Sequence, residues 1–178
     1  MLQMKFHPRF IEAFHSGQKI TSLRMLDFKC RYYEETDDQQ AVYSHDSKLK
    51  HNTYVDSIGG ITVHLLSGTT VTQLSDLAGL LERQPYKPGA EIELVTEAVG
   101  GEWVPFATAI VADVSVIKGD KIENIDAIHD GFNPDRDPLA ELHAFMRDVY
   151  HTADPAKEMY WLYTFTNVQM LPQWGGEA

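Results

Sequence analysis

Arg24 is well suited to hold an anion: its planar guanidinium meets a phosphate or a carboxylate with two hydrogen bonds at once. A phosphate or base edge would use that fork; so would a structural salt bridge to Asp27, Asp130 or Asp135. Further along, Phe28, Tyr32, Tyr33, Tyr43 and Tyr54 are interleaved with Lys29, Arg31, Lys48 and Lys50. Aromatic faces for stacking, set among cations that neutralise a backbone, are what a single-stranded nucleic acid requires. Tyr32 and Tyr33 are therefore read with Arg24 as substrate-binding residues, although such aromatics also serve to pack a segment onto its domain. His45 and His51 flank Asp46, but their spacing fits neither a helical pair nor a common zinc pattern and no cysteine is nearby. They read as surface histidines, and no metal is expected. Gly59-Gly60 and Gly100-Gly101 fit turns and match no phosphate-loop or dinucleotide fingerprint, so no cofactor is expected either.

The elements that must position these groups belong to an ordinary globular chain. With 178 residues, 43 % hydrophobic and 23 % charged, it is long enough to bury a core without a disulfide or metal staple. The lone Cys30 suits a reducing compartment. The first nine residues lead into no apolar signal stretch, and no run of about 18 apolar residues follows, so no membrane association and a cytoplasmic location are expected. Taken as an average, a net charge of -11 argues against nucleic acid. Yet residues 1–50 carry eight basic and seven acidic side chains, against seven and 19 in the remainder. The near-neutral third that holds Arg24 can meet an anion at a local site; the acidic remainder offers a surface to a basic protein partner.

Residues 4–6 alternate as a strand, and Pro8 opens a helix over 9–15 that Gly17 ends. Residues 19–25 are β-rich: alternation puts Lys19, Thr21 and Leu23 on one face and Ile20, Ser22 and Arg24 on the other, unless a bulge intervenes. Residues 26–86 read as an insertion. Within it, 34–40 and 44–52 are polar and loop-like, 61–66 is a strand, and leucines 74, 77, 80 and 81 mark a helix over 72–83. Strands are expected at 91–96, at 103–117 as one bent strand or two, and at 159–168; helices at 122–129 and 138–150. Trp103 and Trp161 are assigned to the core. The order predicts a single α+β domain over 1–178, a bent sheet or β-barrel flanked by helices.

Three pieces, Phe6-x3-Phe10-x6-Gly17-x-Lys19-x4-Arg24, then Lys87-Pro88-Gly89-x-Glu91-Ile92-Glu93-Leu94, then Asp130-Gly131-Phe132 ahead of a helix, stand in an order and spacing that resembles the ASCH family of PUA-like domains. The resemblance spans residues 4–25 and 87–168. It implies a PUA-like barrel related to RNA-modifying and RNA-binding modules. Some small bacterial members look like amidohydrolases of N4-acetylcytidine that use a Lys, a Thr and a Glu; others are described as ribonucleases. Carried over residue by residue, the lysine is Lys19, the arginine is Arg24 and the nucleophile position is Ser22, with Thr21 one residue earlier. The carboxylate is Asp130 by the Asp-Gly-Phe element or Asp135 by counting back from the helix. Ser in place of Thr keeps a hydroxyl; Asp in place of Glu shortens the reach. Amide hydrolysis by such a set needs a hydroxyl deprotonated near neutral pH, a task a partly desolvated lysine can perform. The implied ligand is RNA or a modified nucleoside, with acylated-cytidine hydrolysis as the activity. A non-catalytic RNA or base reader and an acidic protein-interaction module are the alternatives, and Lys19 also reads as a solvated strand cation or as a ligand-binding cation without catalysis.

Overall fold

A computed structural model describes residues 1–25, 30–36, 39–45, 53–56, 60–64, 70–74 and 85–175; for the strands between residues 30 and 74 the backbone alone is described. In chain order, β1 (Leu2–Phe6) leads through a 3-10 turn (Pro8–Phe10) into α1 (Ile11–His15) and then β2 (Thr21–Met25). Five strands follow: β3 (Cys30–Thr36), β4 (Gln39–His45), β5 (Thr53–Asp56), β6 (Gly60–His64) and β7 (Thr70–Leu74). The chain continues through β8 (Glu91–Glu97), β9 (Trp103–Lys118), α2 (Asn124–His129), α3 (Pro138–Tyr150) and β10 (Met159–Met170). It divides into two compact units, one made of Met1–Arg24 with Gln84–Ala178 and the other of Met25–Arg83.

The first unit is α+β, with a curled five-stranded sheet in the order β1-β8-β9-β10-β2. β1 runs parallel to β8, and β8, β9 and β10 are antiparallel neighbours. The 103–117 run forms one strand, β9, whose partners shift register at Leu94/Val95, Thr164/Phe165 and Thr166/Gln169. Bulges of this kind bend a strand and let a sheet curl. Edge strands β1 and β2 meet through a side chain: Arg24 donates from its guanidinium to the Lys5 carbonyl at 2.5 Å. The free edge of β2 is covered in the same way, the Leu23 N–H by the Asp130 carboxylate at 3.3 Å and the Leu23 carbonyl by the Tyr150 hydroxyl at 3.3 Å. Capping of this sort removes the template an open edge would offer to another chain.

Phe6, Phe14, Phe106 and Phe165 fill the concave side, with Phe6 and Phe14 edge to face at 4.9 Å. A second aromatic group, Phe10, Phe132 and Phe145, joins α1 to α3 with centroids 5.3 to 5.8 Å apart. Edge-to-face pairs of this geometry contribute about 0.5–1.5 kcal/mol each beyond their burial. α3 starts where Pro138 occupies the first turn and the Asp137 carboxylate accepts the Ala140 N–H at 3.0 Å. α2 is opened by a reciprocal capping box between Glu123 and Asp126.

The second unit holds the antiparallel hairpin β3-β4 and the antiparallel meander β5-β6-β7. It occupies the segment read as the insertion. Several expectations change here. Residues 34–36 and 39–40, expected in a loop, belong to the paired ends of β3 and β4, Glu35 standing opposite Gln40; ladder pairing outweighs their polar composition. The expected helix over 72–83 begins in strand, since Thr72 pairs with Thr62, and residues 75–83 lie outside the described set. β4 runs to His45, and residues 46–52 are outside as well. In the first unit, Trp103 is 41 % exposed rather than core, because it opens β9 at the rim of the sheet, while Trp161 is buried as expected. Among the described residues, no helix is long and apolar enough to cross a membrane.

Candidate functional site

The site grows from the end of α1. Gly17, at φ +74°, ends the helix in the left-handed conformation that glycine adopts without strain. The Lys19 N–H returns to the Ala13 carbonyl at 2.8 Å, and the Ile20 N–H reaches the His129 carbonyl at 2.9 Å. Gln18 ties the same turn to the far side by donating to the Ile128 and Phe132 carbonyls. The chain before β2 is thereby fixed against the end of α2, and Lys19 points inward ahead of the strand rather than on one of its alternating faces.

Asp130 follows α2, its N–H bonded to the Asp126 carbonyl at 2.8 Å. Gly131 comes next with φ +98°, and a Cβ there would lie 3.1 Å from Phe10, 3.2 Å from Ala13 and 3.2 Å from Lys19 Cδ. Only glycine lets the Asp-Gly-Phe turn pass this close to α1 and the lysine stem. Phe132, wholly buried, anchors the turn.

Lys19 and Asp130 meet as a buried pair, 2 % and 4 % exposed, with Nζ 2.6 Å from Oδ1. Nζ also donates to the Asp130 carbonyl at 2.6 Å and to the Thr21 carbonyl at 2.9 Å. Three acceptors match the three N–H groups of an ammonium. The Phe10 ring lies 4.6 Å from Nζ, with Phe6 and Phe14 at 5.5 Å. Burial pushes the Lys19 amine below the ordinary lysine value, with the Asp130 charge opposing it. Burial likewise pushes the Asp130 carboxyl up, opposed by Lys19.

A cavity of about 320 Å³ opens along the seam between β1 and β2. Its polar wall holds Lys19, Ser22, Arg24 and Asp130, and its apolar wall Phe6, Phe10, Phe145 and Val149. Lys5, His7, Pro8, Leu23, Glu97, Trp103 and Tyr150 also line it. Ser22 is 4 % exposed and its Oγ accepts the Arg24 Nε–H at 3.2 Å. Arg24 also lies over the Phe6 ring at 4.9 Å, so three contacts hold it in place.

Four of the residues expected to act together do share this cavity: Lys19, Ser22, Arg24 and Asp130. Thr21 does not line it; its hydroxyl is buried and has no hydrogen-bond partner among the described residues. Asp135 is an exposed loop residue whose N–H binds Asn133 Oδ1, and it stands apart from the cavity. Tyr32 and Tyr33 fall on β3, and their side chains lie outside what is described, as do Phe28, Lys48 and Lys50 in full. Arg24 forms no ion pair with Asp130 or Asp135; among the described residues its hydrogen bonds go to Ser22 Oγ and the Lys5 carbonyl. The expected separation of Lys19 from Ser22 and Arg24 onto opposite faces also fails, since Thr21, Ser22 and Leu23 are all buried. A strand covered on both sides loses its alternation.

Sequence reasoning missed Glu97, Trp103, His7 and Tyr150, which come from four separate elements or turns with no common spacing. Among the described residues no cluster of three or more His, Cys, Asp or Glu is placed to hold a metal ion. Compared with protein-family models, curated proteins and solved structures, the chain finds no match in any of the three.

Proposed function

We propose that the first unit is a PUA-like ASCH domain whose seam cavity binds RNA or a modified nucleoside and hydrolyses an acylated cytidine. The observation that supports this best is that Lys19, Ser22, Arg24 and Asp130 line one cavity although Asp130 lies more than a hundred residues from the others. A volume of about 320 Å³ suits one nucleoside and falls within the range of small-ligand sites. In the proposed reaction Ser22 Oγ attacks the acyl carbon and its proton passes to the Lys19/Asp130 pair. The C–N bond then breaks, the departing amine takes the proton back, and water releases the acid from the serine ester. The Arg24 N–H at Ser22 Oγ favours the negative charge that develops on the attacking oxygen.

One observation favours a second reading. All three protons of an ammonium at Lys19 already have acceptors, and none of them is Ser22. A lysine so saturated organises the cavity wall, and the site then reads a base without chemistry.

Incubation with N4-acetylcytidine decides between them, with cytidine and acetate followed chromatographically and binding followed by calorimetry. Turnover that disappears in Lys19→Ala supports hydrolysis. Saturable, salt-sensitive binding without turnover supports the reader. Absence of both overturns the nucleoside reading.

A further inference from the structure

Glu97 closes β8 and Trp103 opens β9, and the two residues stand opposite each other in the ladder. The turn between them is tight: the Ala98 N–H bonds to the Glu102 carbonyl at 2.8 Å and the Gly101 N–H to the Ala98 carbonyl at 3.0 Å. Side chains paired across such a turn project from one face at a fixed separation. Both line the cavity, and Lys5 joins them with Nζ 4.3 Å from the Trp103 ring.

The two carboxylates that line the cavity among the described residues, Asp130 and Glu97, differ in what they are free to do. Asp130 Oδ1 is taken up by Lys19 and by the Leu23 N–H. Glu97 accepts no hydrogen bond and forms no ion pair among the described residues, and it is exposed at the mouth. Trp103 beside it presents a large aromatic surface that is 41 % exposed. An indole face next to a carboxylate suits a planar ring that carries N–H donors on its edge: the ring stacks and the carboxylate accepts.

Resting on the nucleoside reading above, we propose that Glu97 is the specificity-determining residue of the seam cavity, selecting an amino-bearing pyrimidine stacked on Trp103 over its keto counterpart. Cytosine presents an exocyclic N–H where uracil presents a carbonyl oxygen. A carboxylate rewards the first and repels the second. Acylation of that nitrogen leaves one N–H, so an acylated cytidine keeps the contact. Sites built around such a polar contact discriminate against an analogue that lacks it more strongly than apolar pockets do.

Calorimetric titration of cytidine and uridine into wild type, Glu97→Gln and Glu97→Ala tests this. Wild type is expected to prefer cytidine by about tenfold, equivalent to one hydrogen-bonded contact of ordinary strength. Both variants are expected to lose that preference while keeping the wild-type melting temperature, since Glu97 is exposed. Trp103→Ala should weaken both nucleosides alike. If wild type binds cytidine and uridine equally, or if Glu97→Ala retains the preference, the assignment of Glu97 is overturned and the nucleoside reading stands. If wild type binds neither nucleoside, the nucleoside reading fails and this assignment falls with it.

Discussion

Asp130 meets Lys19 twice, through Oδ1 and through its own carbonyl oxygen, each 2.6 Å from Nζ, and the same Oδ1 receives the N–H of Leu23 on the sheet edge. One residue thereby closes the edge strand, holds the buried cation and forms part of the cavity wall. The pair is at once a structural clasp and the candidate chemical centre. Experiments on it must separate folding from function.

Removing one member of the pair strands the other. Asp130→Asn leaves Lys19 buried against a neutral amide, a situation that typically destabilises by about 3–5 kcal/mol. Lys19→Met combined with Asp130→Asn removes both charges, and the double variant is expected to be more stable than Asp130→Asn alone. Denaturant unfolding of the wild type, the two single variants and the double variant measures the coupling. A loss below about 0.5 kcal/mol in Asp130→Asn, within the usual range for surface changes, would refute a buried ion pair.

Gly131→Ala is expected to destabilise by more than 1 kcal/mol, the usual scale for a side chain forced into a left-handed conformation. Here steric crowding adds to it, because the new Cβ meets Phe10, Ala13 and Lys19 at 3.1 to 3.2 Å. Gly89→Ala is the control: its φ is also positive, at +85°, but no atom of the described residues lies within 4 Å of the added Cβ. A larger drop in melting temperature for Gly131→Ala than for Gly89→Ala is the expected result. Equal drops would mean that the close approach contributes nothing.

Much of the first unit was legible because its signals are local. Pro8 and Gly17 bracket α1, Pro138 opens α3, and β-rich runs mark β8, β9 and β10. The site was legible only in part. Lys19, Ser22 and Arg24 stand close together in the chain, and Asp130 was tied to them by motif order rather than by any physical signal. Between Asp130 and Asp135 the sequence offered no means of choosing. The choice depends on Gly131, whose positive φ lets the turn after α2 press Asp130 against Lys19. Glu97 and Trp103 escaped because each looks ordinary alone; only the β8–β9 register brings them together at the cavity. In the second unit, polar strand ends at 34–36 and 39–40 passed for a loop because ladder hydrogen bonds leave no trace in composition.

Acid is expected to weaken the fold through His143. This α3 side chain has its Nε2 buried with no hydrogen-bond partner among the described residues, and desolvation, helped by nearby Arg147, holds its pKa below the ordinary value of 6.5. The unfolded chain then binds a proton in a range where the folded chain does not, so stability rises with pH across that window. The contribution is complete above about pH 6.5 and is lost as pH falls through the folded-state value. Melting temperatures measured between pH 7.5 and pH 5, a range set by ordinary histidine titration, should fall less in His143→Gln than in wild type. Identical slopes would assign the acid sensitivity elsewhere.

Ser22 and Thr21 are adjacent hydroxyls with opposite expected phenotypes. Ser22 faces the cavity and accepts from Arg24; Thr21 is buried, with its hydroxyl unpartnered among the described residues. Thr21→Val replaces an unsatisfied buried hydroxyl by a methyl group of the same shape, so stability should be unchanged or rise by up to about 1 kcal/mol. Turnover of N4-acetylcytidine should persist in that variant. Ser22→Ala costs only one hydrogen bond, about 1 kcal/mol at most, because the partly exposed Arg24 can turn to water. It should reduce turnover to the uncatalysed level while nucleoside binding survives, and Ser22→Thr, which restores a hydroxyl, should recover part of the rate. If instead Thr21→Val silences the reaction and Ser22→Ala does not, the nucleophile is the hydroxyl that the cavity geometry passes over, and Ser22 serves only to position Arg24.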